Sequence, residues 1–184
     1  MSSNDYYFTS DWTLFLDRDG VINRRIPGGY VTCWEEFEFL DGVMKAMKIL
    51  ASVFGRIIVV SNQQGIGKGL MTVEQLKAVD ARMREEIESA GGWIDAAYYS
   101  PHLAGDGHPD RKPGTGLGLH AKSDFPEIDL SRSIMVGDSE SDMLFGRNLG
   151  MLTVFIGNKE DAGPEPDLIF NSLREFAESL IQNS

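Results

Sequence analysis

Short apolar, β-rich runs alternate with helical patterns along this chain, and that alternation constrains its fold more than any other feature. The runs cover residues 13–17, 56–62, 96–100, 133–138 and 152–157, with a weaker one at 167–170. Between them lie helix candidates. Residues 42–53 place Val43, Met44, Met47 and Leu50 at helical spacing. Residues 72–90 open with Thr72 and Gln75, a capping-box pair. Stretches 116–124, 139–149 and 172–182 complete the set. Such an order predicts a doubly wound α/β fold with a mostly parallel sheet. In such sheets the ligand crevice lies beyond the carboxyl ends of the strands. Polar and acidic residues collect there: Asp17-Arg18-Asp19-Gly20 after the first strand, Ser61-Asn62-Gln63 at the second, and Gly137-Asp138-Ser139-Glu140-Ser141-Asp142 after the fourth.

Length and composition set the limits around this pattern. The 184 residues fit one domain spanning 1–184, with residues 1–11 expected as a flexible N-terminus. Apolar residues make up 42% and charged residues 24%, an ordinary globular mixture. A formal net charge of −11 argues against general binding to nucleic acid or anionic lipid, both of which need a positive surface. Cys33 is the single cysteine, so no intramolecular disulfide and no CxxC motif exists. No early apolar run is long enough to span a bilayer, and residues 1–11 lack the regions of a signal peptide. The expectation is a cytoplasmic protein, monomeric, with no membrane partner. No repeat, low-complexity tract or Pro/Ser linker divides the chain.

Asp17, Asp19 and Asp138 would bring three carboxylates to one rim. They repel one another unless a cation or shared protons intervene. Oxygen-rich clusters of this kind suit Mg²⁺, which takes few carboxylates together with phosphate oxygens. An ionised Asp17 is then placed to attack phosphorus, and Asp19 to protonate the leaving alkoxide and later deprotonate water. A transferring phosphoryl group also needs donors and cations. Ser61 offers a hydroxyl, the backbone N–H groups near Asn62 and Gln63 an anion nest, and Lys112 a positive charge. Taken alone, Arg111 and Lys112 read as solvated loop charges. Two glycine clusters are not nucleotide motifs: Gly65-Ile66-Gly67-Lys68-Gly69 lacks P-loop spacing, and Gly114-Thr115-Gly116-Leu117-Gly118 is no GxGxxG fingerprint. Both read as flexible loops.

Asp17-Arg18-Asp19-Gly20-Val21-Ile22-Asn23 resembles the first motif of the haloacid dehalogenase-like (HAD) hydrolases. Ser61 matches their second motif, Lys112 the third and Gly137-Asp138 through Asp142 the fourth, in the right order and strand context. Within that superfamily the chain is most similar to the D-glycero-D-manno-heptose 1,7-bisphosphate phosphatases and the related histidinol-phosphatases. Gly29-Tyr30-Val31, Phe37-Glu38-Phe39, Ser61-Asn62-Gln63-Gln64-Gly65-Ile66 and Arg111-Lys112-Pro113 carry this likeness. The resemblance implies that Asp17 is the nucleophile and Asp19 the general acid/base. Mg²⁺ would bind Asp17, the Asp19 backbone carbonyl and Asp138. Ser61 and Lys112 would hold the phosphoryl group, and Asn62, Gln63, Tyr30 and Arg111 would contact substrate. The short spacings between these motifs fit a form of the fold without a large cap, closed by the loops 24–32, 63–71 and 101–114. Arg24 and Arg25, in the first loop, are either exposed charges or contacts to a second anionic group.

The chain departs from that family at two points. Many relatives hold a structural zinc with the pattern CxH…CxC before Arg-Lys-Pro. Here those positions are Ser100, His102, His108 and Asp110, with no thiolate, so a structural zinc is not expected. Ser139 stands where relatives often carry a substrate-contacting lysine. The leading expectation is a Mg²⁺-dependent phosphatase for a small phosphorylated metabolite such as a sugar bisphosphate. The alternatives are a histidinol-phosphate phosphatase and, from another class, a non-hydrolytic phosphoacceptor or binding domain, against which Asp19 argues. A polynucleotide phosphatase is disfavoured by the acidic charge.

Overall fold

The computed structural model describes residues 7–163 and 166–181. The chain runs β1 (Thr13–Leu16), α1 (Val43–Val53), β2 (Arg56–Asn62), α2 (Val73–Ser89), β3 (Ala96–Ser100), α3 (Gly116–Asp124), β4 (Ser133–Gly137), α4 (Glu140–Asn148), β5 (Leu152–Ile156), β6 (Leu168–Phe170) and α5 (Leu173–Ile181). The strands form one sheet in the order β3-β2-β1-β4-β5-β6, every pair parallel. The expected doubly wound α/β fold is therefore the one observed. The chain enters at β1, works outward to β3 and returns to the other side of β1 as β4. The direction of winding thus reverses between β1 and β4, and a crevice opens at their carboxyl ends.

Alternation along each strand explains the two cores. Leu14 and Leu16, Ile57 and Val59, Ile134 and Val136 point to one face, where α1, α2 and α5 cover them with Met47, Leu50, Met83, Ile87 and Phe176. Phe15, Ile58, Val60 and Met135 point to the other, against Leu117 and Ala121 of α3 and Phe145 of α4. The Thr72–Gln75 capping box starts α2 as the sequence indicates. β1 and β4 stop one residue short of the sequence expectation. Asp17 and Asp138 therefore stand just past the strands, with the Asp17 N–H still donating to the Val136 carbonyl at 2.9 Å.

Among the described residues, the long connections 17–42 and 101–115 hold no helix beyond the 3-10 turn Trp34–Glu36, so nothing of cap size is inserted. Of the N-terminal segment expected to be flexible, residues 1–6 lie outside the described residues. Phe8 packs edge-on to Trp12 at 5.0 Å and against Phe54 at 5.8 Å. Gln182, expected at the end of the last helix, also lies outside them.

Phe176 is fully buried where α5 meets the sheet, far from the acidic edge. Truncating it to alanine leaves a cavity that a packed core refills only in part. Phe176→Ala is expected to lower unfolding free energy by roughly 3–5 kcal/mol. A urea titration showing a loss below about 1 kcal/mol would contradict this packing.

Candidate active site

β1 delivers Asp17 to the crevice, and the chain then turns tightly. The N–H groups of Ile22 and Asn23 donate back to the Arg18 carbonyl at 2.8 and 3.1 Å. Gly20 makes the turn possible. Its φ is +93°, and a Cβ there would lie 1.8 Å from Oδ2 of Asp138. The turn of β1 and the end of β4 thus meet without a side chain between them.

Lys112 lies at the centre. Its ammonium is buried and sits 3.0 Å from Oδ1 of Asp17 and 2.5 Å from Oδ1 of Asp142, while donating to the Val60 carbonyl at 2.7 Å. Burial alone would lower its proton affinity, but Asp142 and Asp17 outweigh that and raise it, so the lysine is charged. Asn62 anchors the loop that carries it. The Asn62 side chain donates to the Lys112 carbonyl and accepts from the Lys112 N–H, both at 3.0 Å. Asn62, expected to bind substrate, lines the cavity but commits its amide to the backbone of Lys112.

Asp17 and Asp19 stand in opposite environments. Burial pushes the Asp17 carboxyl above its usual range; Lys112 pulls it down, and Asp142 and Asp19 push it back up. Asp19 is buried too, yet Arg18 and the amides of Asn23 and Gln63 hold its carboxyl below its usual range. Arg18 donates to both Asp19 oxygens at 3.0 and 3.1 Å, Asn23 to Oδ1 at 2.9 Å and Gln63 to Oδ2 at 2.5 Å. Gln63, also expected to touch substrate, donates to Asp19 and does not line the cavity. The anion nest read from the sequence loses its Gln63 member as well, because that N–H donates to the Ser100 carbonyl at 2.7 Å. Ser61 lies buried beside Asp17 and lines the cavity.

Asp17, Asp138 and Asp142 each bring a carboxylate oxygen within 4.8 Å of the others. Burial raises the Asp138 carboxyl to about 7; Asp17 adds to this and Arg25 opposes it. The cluster is short of positive charge. Oδ1 of Asp17 and Oδ1 of Asp142 are buried and accept no well-aligned hydrogen bond, their contacts with Lys112 being close ion pairs only. Arg25 already reaches in as a cation, with Nη2 2.7 Å from Oδ1 of Asp138 and 3.3 Å from the Asp19 carbonyl. Orphaned carboxylate oxygens and a guanidinium lodged among them are what a cation site needs, so these residues fit Mg²⁺.

Other expected residues fall in different places. Arg24, read as either an exposed charge or a contact to a second anion, turns outward into an exposed two-bond pair with Glu38, at 2.9 and 3.1 Å, and does not line the cavity. Tyr30 and Arg111 do line it. The cavity holds about 470 Å³. His102, His108 and Asp110 come together with donor atoms within 4.8 Å, the two rings stacked at 3.4 Å. His120 reaches Asp110 at 3.0 Å. The three clustered donors are fewer than the four of a structural zinc site.

Arg18, Asp142 and Lys68 are among the site residues left unassigned by sequence reasoning. Arg18 is fully buried between two acids, a strand-exit position whose only signal is its neighbours. Asp142 pairs with Lys112 and also caps α4, accepting from the Ser139 hydroxyl at 2.6 Å and its N–H at 3.1 Å. The Ser-x-x-Asp spacing marks it as a capping box and hides the second task. Lys68 lines the cavity from a loop read as flexible. That loop is closed by hydrogen bonds from Lys68 to Gln64, Gly69 to Ile66 and Leu70 to Gly65 at 2.9–3.0 Å.

Comparison with known proteins agrees with this geometry. Residues 110–176 match a family model described as HAD-hydrolase-like. A D-glycero-alpha-D-manno-heptose-1,7-bisphosphate 7-phosphatase of Mycobacterium tuberculosis is 39% identical over 171 residues, covering 90% of each chain. A D-glycero-beta-D-manno-heptose-1,7-bisphosphate 7-phosphatase of Helicobacter pylori is 36% identical over 141 residues, covering 76% of this chain and 79% of the relative. The crystal structure of D,D-heptose 1,7-bisphosphate phosphatase from B. bronchiseptica, complexed with magnesium and phosphate, superposes with a TM-score of 0.85 at 28% identity. It covers 94% of this chain and 99% of that one. With its acids on the switch-point strands and its buried lysine between them, the chain belongs to the family of these HAD-like phosphatases and is a phosphoric monoester hydrolase.

Proposed function

We propose that this chain is a Mg²⁺-dependent phosphatase that removes one phosphate from a sugar bisphosphate, D-glycero-D-manno-heptose 1,7-bisphosphate, through an aspartyl-phosphate. The observation that carries this reading is Asp17 itself. It is buried at the end of β1, has an oxygen free of aligned hydrogen bonds, and faces Lys112 with Asp138 and Asp142 close by. The names of the relatives supply the substrate.

Asp17 attacks phosphorus, forming a carboxyl O–P bond as the P–O bond to the sugar breaks. The departing alkoxide takes a proton from Asp19. Asp19 then removes a proton from water, whose oxygen attacks the aspartyl-phosphate and releases inorganic phosphate with Asp17 restored. Asp19 starts ionised, since Arg18, Asn23 and Gln63 favour its anion. An arriving phosphate dianion raises its proton affinity, and Asp19 takes up one proton from solvent as the substrate binds, which completes the acid. Asp17, the Asp19 carbonyl and Asp138 would hold Mg²⁺, which supplies charge neutralisation of the phosphoryl oxygens. Lys112 and Ser61 would hold those oxygens as well. Arg25 must leave Asp138 for this, which frees a positive charge beside the cavity. Among the described residues no helix is long and apolar enough to cross a membrane.

Asp17→Asn removes the nucleophile. Phosphate release should fall by roughly three orders of magnitude or more. Burial and neighbouring acids disfavour the Asp17 anion, so the melting temperature of the variant should hold or rise. A variant that retains turnover would exclude covalent catalysis at this position. Chelation with EDTA should abolish phosphate release, and added Mg²⁺ should restore it. Full activity in EDTA would refute the assignment of the metal to Asp17 and Asp138. Lys112→Met leaves Asp17 and Asp142 buried without their cation, and should cost about 3–5 kcal/mol of stability as well as activity. Unchanged denaturation would show the lysine to be dispensable to the fold.

A further inference from the structure

Arg18 is fully buried beside Asp19 and does not line the cavity. A buried guanidinium normally engages several acceptors with its five N–H donors. This one reaches a single side chain with a single nitrogen: Nη2 donates to both oxygens of Asp19, at 3.0 and 3.1 Å. Nε and Nη1 are buried and have no hydrogen-bond partner among the described residues. A contact through one nitrogen is a pivot, unlike the two-nitrogen fork that fixes a guanidinium against a carboxylate. Something other than Asp19 must therefore hold the plane of Arg18.

The ring of Tyr99 lies against it. The guanidinium carbon stands 5.9 Å from the ring centre, within reach of a cation–π contact. Tyr99 belongs to β3, in register with Ser61 of β2, and packs on the core that α1, α2 and α5 cover. Its hydroxyl donates to Oδ1 of Asp80 on α2 at 2.5 Å. Asp80 is fixed in turn: its Oδ2 accepts from Nε of Arg84 at 2.9 Å, and Arg84 donates to the Ile94 carbonyl at 3.2 Å. Burial and Asp80 push the Tyr99 phenol well above its ordinary value, so it stays a neutral donor. A phenol that donates to a carboxylate carries more electron density on its ring, and such a ring holds a cation better. A line of contacts thus runs from α2 through β3 to the edge of the site: Asp80, Tyr99, Arg18, Asp19. Neither Asp80 nor Tyr99 lines the cavity.

We propose that Tyr99, held by Asp80, fixes the Arg18 guanidinium and through it aims the Asp19 carboxylate for proton transfer. The inference rests on the reading of Asp19 as the proton carrier. Tyr99 and Asp80 are positioning residues. The Asn23 and Gln63 amides each hold one oxygen of Asp19, whereas Arg18 spans both, so a displaced guanidinium shifts the whole carboxylate.

The test measures kcat and KM for phosphate release from heptose 1,7-bisphosphate in the full-length enzyme and its variants, each first shown by circular dichroism to be folded at the assay temperature. Tyr99→Leu removes the ring and should lower kcat roughly 10-fold, with KM within about twofold of the parent. Tyr99→Phe keeps the ring and loses the bond to Asp80, and should lower kcat by about 2- to 4-fold; Asp80→Asn should match it. Combining those two should cost little more than either alone, because both weaken one contact. If Tyr99→Leu does not fold, the two conservative variants decide. Parental kcat in both of them, or losses confined to KM, would overturn the role of the Asp80–Tyr99 pair and leave the phosphatase reading standing. Asp19→Asn, assayed alongside, should lose roughly 100-fold or more in kcat. Parental kcat in that variant, or a parent enzyme that releases no phosphate, would overturn the reading of Asp19 and this inference with it.

Discussion

The ammonium of Lys112, sealed between Asp17 and Asp142, is the contact on which the rest of the site depends. A lone buried charge costs several kcal/mol, and a buried acid pair without a cation costs as much again. Together the three groups and the Val60 carbonyl offset most of that cost, while Oδ1 of Asp17 and Oδ1 of Asp142 stay without an aligned hydrogen bond. The arrangement requires four segments to meet: the end of β1, the end of β2, the loop before α3 and the first turn of α4. The strand order β2-β1-β4 brings them together. The Asn62 amide then fixes the lysine loop to β2 by paired bonds to its backbone. Topology and charge pairing therefore select the same geometry.

The same edge separates two carboxylates by chemistry, although only Arg18 lies between them in the chain. Asp17 faces other acids and is held reluctant to ionise. Asp19 faces Arg18, Asn23 and Gln63 and ionises readily. Environments that drive two acids apart in proton affinity are how a nucleophile and an acid/base are told apart. Here position separates them as well: Asp17 lies beside Lys112 and the carboxylates of Asp138 and Asp142, and Asp19 lies among Arg18, Asn23 and Gln63. Gln63 and Asn23 contribute by fixing the direction of the Asp19 carboxylate.

Much of this was legible in the sequence because periodicity and strand ends are local signals. Apolar alternation located β1, β2 and β4, and the acids that follow them could be placed on one rim before any contact was known. What could not be read depends on where loops travel. Arg24 and Arg25 are adjacent, and nothing local says that one turns to Glu38 and the other to Asp138. Gln63 looks like a ligand contact until its partner, Asp19, is seen. Asp142 satisfies a capping rule so fully that its ion pair with Lys112 leaves no trace in the spacing. The glycines around Lys68 suggested mobility, whereas a run of backbone hydrogen bonds and the Tyr30 contact give that loop a defined shape.

An acidic protein that takes an anionic substrate must overcome its own field. Charges farther than a Debye length of about 8–10 Å are screened at physiological salt, so the balance within the cavity outweighs the −11 of the whole chain. Without a cap domain, the fold gathers that local balance from loops. Lys112 comes from the loop before α3, Arg25 and Tyr30 from the loop after β1, Lys68 from the loop after β2 and Arg111 from beside Lys112. Each cation that is tied to an acid stabilises the site, and each that is not remains free to select a substrate. Tyr30 makes the second arrangement affordable, because a phenol oxygen can hold an ammonium in place without neutralising it. A carboxylate in its position would hold Lys68 more firmly and cancel its charge.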